Sequence, residues 1–339
     1  MPNPYGVDMH VDEVLTSFSI EYGPKSQDYI ADKVFPTVPT KHKTNRYRKW
    51  SKSDLRRTDV RRRAPGTEAP KTGWSFDHDS FYTENYAVRH DIDDQERANA
   101  DQSFGSLDQR ATKRLTRQMM LFKELQWAAS YFKPGIWHKD LTGVNGTPST
   151  APGSPEFLKW DNALANPRKD MLKLVRDMTL QSGGFKPNFA VMGQDVLVQL
   201  EEHPRIQEMW KYNNTGPIKQ DWLANYIGLP KLYIPNSSFT EVGFEGDMKI
   251  QDDLAVYKWI FSPTSILLGY APSAPAVDEP SAGYCFNWTG YPGGNGGIHT
   301  RKWRNEPIRS DSIEVESAWQ FRVVCPDMGI FMEDVVNPL

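Results

Sequence analysis

Residues 106–132, SLDQRATKRLTRQMMLFKELQWAASYF, place apolar side chains at intervals of three and four: Leu107, Ala111, Leu115, Met119, Phe122, Leu125, Ala129 and Phe132. That period marks one face of an α-helix. Ser106 and Gln109 stand at the S-x-x-Q spacing of a capping box, and Pro134-Gly135 stops the run. At about 1.5 Å per residue the helix is a rod of roughly 40 Å. Any fold of this chain has to be arranged along that rod, so the pattern predicts a spine.

Upstream, residues 1–45 read as an arm. VDEVLTSFSI suits a short helix, and YIADKVFPTVPT is expected to run extended, because Pro36 and Pro39 forbid a continuing helix. Val34, Phe35 and Val38 have little beside them to pack against, so the arm is expected to dock through them on the same or a neighbouring subunit, separable from the folded body. Residues 46–90 read as a long β-hairpin whose tip, RRRAPGTEAPKTG, holds the turn formers Pro65-Gly66, Pro70 and Gly73. The returning strand sets Trp74, Phe76 and His78 on one face and Ser75, Asp77 and Asp79 on the other. Opposite charges across such a pair of strands contribute about 0.2–1 kcal/mol each.

Beyond the spine, the Gly/Ser/Thr/Pro-rich link 142–156 leads into an alternation of helix and strand. PRKDMLKLVRDMTL is a helix begun by Pro167, FAVMG a buried strand, QDVLVQLEEHPRIQEMWKY a further helix, and KQDWLANYIGLPKLYIPN reads as helix, glycine break and strand. That order predicts a compact α/β domain over 157–305. The chain closes on strand-like SIEVESAWQFRVVCPDMGIFMEDVV, expected to return as a pair (306–339) to the spine.

Composition narrows the class. The chain has 339 residues, 38% of them hydrophobic, with a net charge of −3, which suits two or three cored domains. Cys285 and Cys325 have no CxxC spacing, as expected for a reducing cytoplasm. Neither a signal peptide nor an apolar run of about 20 residues is legible. Charge is unevenly placed: Lys41 to Arg63 holds eleven Lys or Arg against Asp54 and Asp59, while the remainder has 29 basic and 41 acidic residues.

Arm, long hairpin, spine, α/β domain and returning strands, in this order, resemble the major capsid protein of tailed bacteriophages, the HK97-like fold. The residues that carry the resemblance are YIADKVFPTVPT ahead of the hairpin, PNFAVMGQDVLVQLEEHPR followed by IGLPKLYIPN, and the terminal strands. It implies an α+β fold with an N-terminal arm (1–45), an extended loop (46–90), a peripheral domain with the spine (91–156), an axial domain (157–305) and returning peripheral strands (306–339). It further implies a non-enzymatic subunit that forms hexamers and pentamers of an icosahedral shell around double-stranded DNA, assembled in the host bacterial cytoplasm. Its partners would be itself, a portal, a scaffolding protein and a cement protein, without membrane or cofactor. Some such proteins begin with a removable scaffolding segment; here the arm starts at Met1, so scaffolding is expected on a separate chain. Others cross-link through a loop lysine, but no motif around Lys52 or Lys71 transfers that chemistry.

Two readings of the basic stretch follow. With Tyr47 and Trp50 interleaved, 41–63 has the composition of a nucleic-acid arm. As the extended loop, its Arg46, Arg48, Lys49, Arg56, Arg57, Arg61, Arg62, Arg63 and Lys71 would instead meet a neighbour's acidic surface. DIDDQERANAD supplies Asp91, Asp93, Asp94, Glu96 and Asp101 for that pairing, which is the reading favoured by the resemblance. An encapsulin-like compartment shell is the alternative on the same fold, and a monomeric nucleic-acid binder the alternative outside it. Catalytic signals are poor: His138 and Asp140, or His78 between Asp77 and Asp79, lack a second ligand pair at metal-site spacing, and GYPGGNGG lacks the GK[ST] of a phosphate loop.

Overall fold

The spine forms as one helix, Leu107–Tyr131. This computed structural model describes residues 29–50, 56–73, 75–99, 106–151, 153–213, 218–240, 257–275, 279–290 and 297–339; the expected helix over 11–20, Lys52, Trp74 and Asp101 lie outside the described residues. Ser106 is the N-cap, but its side chain makes no capping bond, so the expected box with Gln109 is not formed. Asp108 in the first turn complements the helix dipole instead, held by Arg97 at 2.8 Å and Lys302 at 2.7 Å. Ala111, Leu115 and Met119 are buried as the period predicts, yet Phe122 is 40% exposed. The buried face continues through Glu124, Trp127, Ala128 and Tyr131 rather than Leu125 and Ala129. With about 3.6 residues per turn, a strict four-residue stripe winds around the axis, and the core follows the two large aromatics.

Two sheets flank the spine. In the five-stranded sheet the long strand Ser310–Val323 is central. Along one edge it pairs with His299–Asn305 and then Gly283–Trp288, and along the other with Glu84–Asp93, all antiparallel. Thr37–Thr40 adds a parallel strand beyond Gly283–Trp288. The six-stranded sheet runs Glu156–Leu158, Lys139–Val144, Gly329–Glu333, Ile266–Gly269, Phe189–Met192, Lys231–Tyr233. Its inner strands Phe189–Met192 and Ile266–Gly269 are buried on both faces, as central strands of a covered sheet are. Gly329 passes so close to the Trp137 ring that a Cβ there would overlap it.

This pairing redistributes the segments expected from sequence. Residues 306–339 do not return together: Ser310–Val323 packs on the spine, whereas Gly329–Glu333 enters the middle of the six-stranded sheet. Gly283–Trp288 and His299–Asn305, expected in the 157–305 domain, belong to the five-stranded sheet. Lys139–Val144, expected in the 91–156 domain, belongs to the other. The hairpin is shorter than 46–90: Thr44–Trp50 pairs with Phe76–Tyr82, and after buried Thr83 the chain crosses to Ser310–Val323.

The arm is corrected too. Ala31–Val34 is a helical turn rather than extended chain, and Val34 and Phe35 are core, 5% and 1% exposed. Phe35 packs on Tyr131 at 4.6 Å, Phe189 at 5.5 Å and Trp127 at 5.7 Å between ring centroids. Val38 sits beside the smaller cluster of Phe81, Tyr284 and Phe286. Residues 30–40 therefore dock on their own subunit, where these aromatics pack against Phe35 and Val38.

Candidate intersubunit site

The hairpin is fixed at its base and exposed at its end. Phe81 stacks on Phe286 at 4.2 Å and 3°, and Tyr47 stacks on the same ring at 5.6 Å. Tyr47 donates its hydroxyl to Asp79 at 2.9 Å, and Lys49 lies 3.7 Å from that carboxylate. Burial, with the Asp79 bond, pushes the Tyr47 phenol well above its usual range. For Asp79, burial pushes the carboxyl up, but the bonds from Tyr47 and the Ser80 N–H together with Lys49 outweigh it and hold it below the usual range. Thr83 donates its N–H and hydroxyl to the Lys43 carbonyl at 2.9 and 3.0 Å, closing the base. The Lys43 ammonium lies 4.8 Å over the Tyr82 ring.

At the tip, Ala64–Thr67 is a β-turn with the Thr67 N–H 3.2 Å from the Ala64 carbonyl and Gly66 at φ 80°. Proline then a left-handed glycine is the requirement of a type II turn, so the tip is where the sequence places it. The cations around it divide. Arg57 reaches Asp59 at 3.2 Å and the Gly73 carbonyl at 2.6 Å; Arg63 donates to the Thr67 carbonyl; Arg56 donates to the Gln181 carbonyl. Arg46, Arg61, Arg62 and Lys71 present exposed side chains; that of Arg48 lies outside the described residues.

The acidic stretch is paired within its own subunit more than the sequence suggests. Asp91 accepts from the Ser312 hydroxyl at 2.6 Å and pairs with Arg89 at 3.2 Å. Asp94 takes both Arg304 nitrogens at 2.6 Å, and those bonds hold its carboxyl below the usual range. Arg97 bridges Asp108 and Asp311, both at 2.8 Å. The strand His299–Asn305 supplies Arg304, which no local reading of DIDDQERANAD could anticipate. Asp93 and Glu96 remain exposed.

Candidate catalytic groups are tied into structure. His138 pairs with Asp327 at 3.2 Å rather than with Asp140, whose carboxylate accepts the Gly135 N–H at 2.6 Å. Burial pushes the Cys285 thiol up to about 11, the wrong direction for a nucleophile. One group was missed by sequence reasoning. Glu124, on the spine's buried face, accepts the Ile30 N–H at 2.9 Å and the Ala31 N–H at 2.8 Å, capping the arm's helical turn. A lone acid one turn before Trp127 and Ala128 was its only signal.

No protein-family profile matches the sequence, and no curated protein matches it. Solved structures do. A phage-related protein from Bordetella bronchiseptica RB50 superposes with a TM-score of 0.71 at 18% identity, covering 98% of this chain and 100% of that one. The capsid of cyanophage P-SCSP1u gives 0.55 at 9% identity over 90% of this chain and 88% of that one. The mature capsid of bacteriophage PhiM1 gives 0.53 at 11% identity over 92% and 88%. The chain has the HK97-like α+β capsid fold.

Proposed function

We propose that a chain with this capsid fold over nine-tenths of its length is a major capsid protein, self-assembling into hexamers and pentamers of an icosahedral phage head around double-stranded DNA. The observation that carries the reading is coverage: the fold shared with the cyanophage and PhiM1 capsids takes in 90% and 92% of the chain. The role is structural and not catalytic. Exposed Arg46, Arg61, Arg62 and Lys71 of one subunit meet the acidic surface of the next, led by Asp93 and Glu96, while Asp91 and Asp94 are paired within their own subunit. Complementary patches on different parts of one chain make a heterologous contact, the kind that closes into rings. Portal, scaffolding and cement proteins are the partners such a shell takes. The test is size-exclusion chromatography of the expressed protein with ultraviolet absorbance of the void-volume material. Particles with a nucleic-acid spectrum are expected. Particles with only protein cargo would move the reading to an encapsulin-like compartment, and monomers alone would end it.

A further inference from the structure

The helix Pro167–Ser182 starts at Asn166, which accepts the Lys169 N–H at 3.2 Å, and buries Met171, Leu174 and Met178. Its other face is cationic. Arg168, Lys169, Lys173 and Arg176 are exposed there, and with Asn166 and Leu172 they line an open trough of about 470 Å³. At about 1.5 Å per residue, these cations span about 12 Å of axis. The helix carries two carboxylates, Asp170 at 3.4 Å from Lys173 and Asp177 at 2.9 Å from Lys139. Arg168 lies 5.1 Å over the Tyr226 ring, which itself stacks on Trp222 at 5.1 Å. A cation–π contact of this kind orients the guanidinium without neutralising it. At the helix's far end Arg56 bonds the Gln181 carbonyl and adds a fifth positive charge.

We propose that this face binds the phosphate backbone of double-stranded DNA without reading sequence, and so lines the shell; the assignment rests on the capsid reading. A duplex offers one negative charge per about 1.7 Å of axis, so cations spread over about two helical turns find phosphates in any register. A protein partner would need carboxylates at one matching spacing. The trough's polar groups are those that contact backbone: four cations and one amide, with Leu172 and the aliphatic stems as its floor. The proposed function assigns exposed Arg46, Arg61, Arg62 and Lys71 to subunit contact, which leaves this helix, with Arg56 at its far end, as the separate basic surface.

The test uses purified full-length protein, kept as unassembled subunits by working below the concentration at which shells form, and a fluorescein-labelled random-sequence duplex of about two helical turns, read by anisotropy at two salt concentrations. With a slope of about −0.9 per phosphate, four contacts weaken affinity roughly a hundredfold between 0.05 and 0.2 M salt. Replacing Arg168, Lys169, Lys173 and Arg176 by Glu should abolish duplex binding and leave shells intact. The same four changed to Gln should weaken binding at least tenfold and flatten the salt slope, which covers a misfolded Glu variant. Arg61, Arg62 and Arg63 changed to Glu should leave duplex binding unchanged. Wild-type binding that survives the Gln variant, or no wild-type binding at low salt, overturns the assignment; so does loss in the Gln variant of binding to poly-glutamate alone, which marks a protein site. If wild type forms no shells, the capsid reading fails on its own count, whatever the duplex does.

Discussion

Glu124 is the residue at which arm and spine are joined. Its carboxyl is fully buried, and burial pushes it up to about 7 against the bonds donated by Ile30 and Ala31. A carboxyl with a raised folded value binds its proton more tightly folded than unfolded. Its contribution to stability is therefore present below about 4.5 and lost as pH rises through about 7. His203 and His299, lowered by burial, act in the opposite sense near the same pH, so the informative quantity is a difference. Between pH 5 and pH 8 the melting temperature of Glu124→Gln should gain on that of the wild type. Parallel pH profiles would show that the carboxyl does not titrate in this window. Phe35→Ala tests the same joint from the arm's side. It removes a ring shared by Trp127, Tyr131 and Phe189, and truncations of this kind cost about 3–5 kcal/mol. Urea unfolding of unassembled subunits should show that loss; a change below about 1 kcal/mol would mean that the arm is not core.

Among the elements, the hairpin is where stability and assembly separate. Its base is locked by Phe81, Tyr47 and Thr83, and its tip is exposed. Changing Arg61, Arg62 and Arg63 together to Glu should leave the subunit's unfolding free energy within about ±0.5 kcal/mol, while sedimentation shows assembly lost through like-charge repulsion at every contact. A variant that assembles normally would remove the tip from the interface. The spine and this tip were legible in the sequence because both are local: a periodic run between stops, and Pro65-Gly66 at a turn. The sheet partners were not. Thr37–Thr40 lies beside Gly283–Trp288, and Glu84–Asp93 beside Ser310–Val323, pairings between distant parts of the chain that alternation alone does not specify. The acidic site was half legible for the same reason. Asp91 and Asp94 read as free partners for another subunit until the fold brings Ser312 and Arg304 against them.

In the whole molecule, charge is sorted by place more than by total. A chain of net −3 carries a cationic hairpin, a cationic helix face and a body with excess acid. The proposed hairpin-to-body contact between copies is an electrostatic one between exposed groups, so it should weaken with salt as the Debye length falls from about 10 Å at 0.1 M to about 3 Å at 1 M. The most direct measurement is electron microscopy of negatively stained wild-type protein beside the Arg61/Arg62/Arg63→Glu variant, each at low and high salt. The account predicts closed shells and ring-shaped capsomers of the wild type at low salt, fewer of them at high salt, and dispersed subunits of the variant at both. Wild-type protein that stays dispersed under every condition, or a variant that builds the same shells, would contradict it.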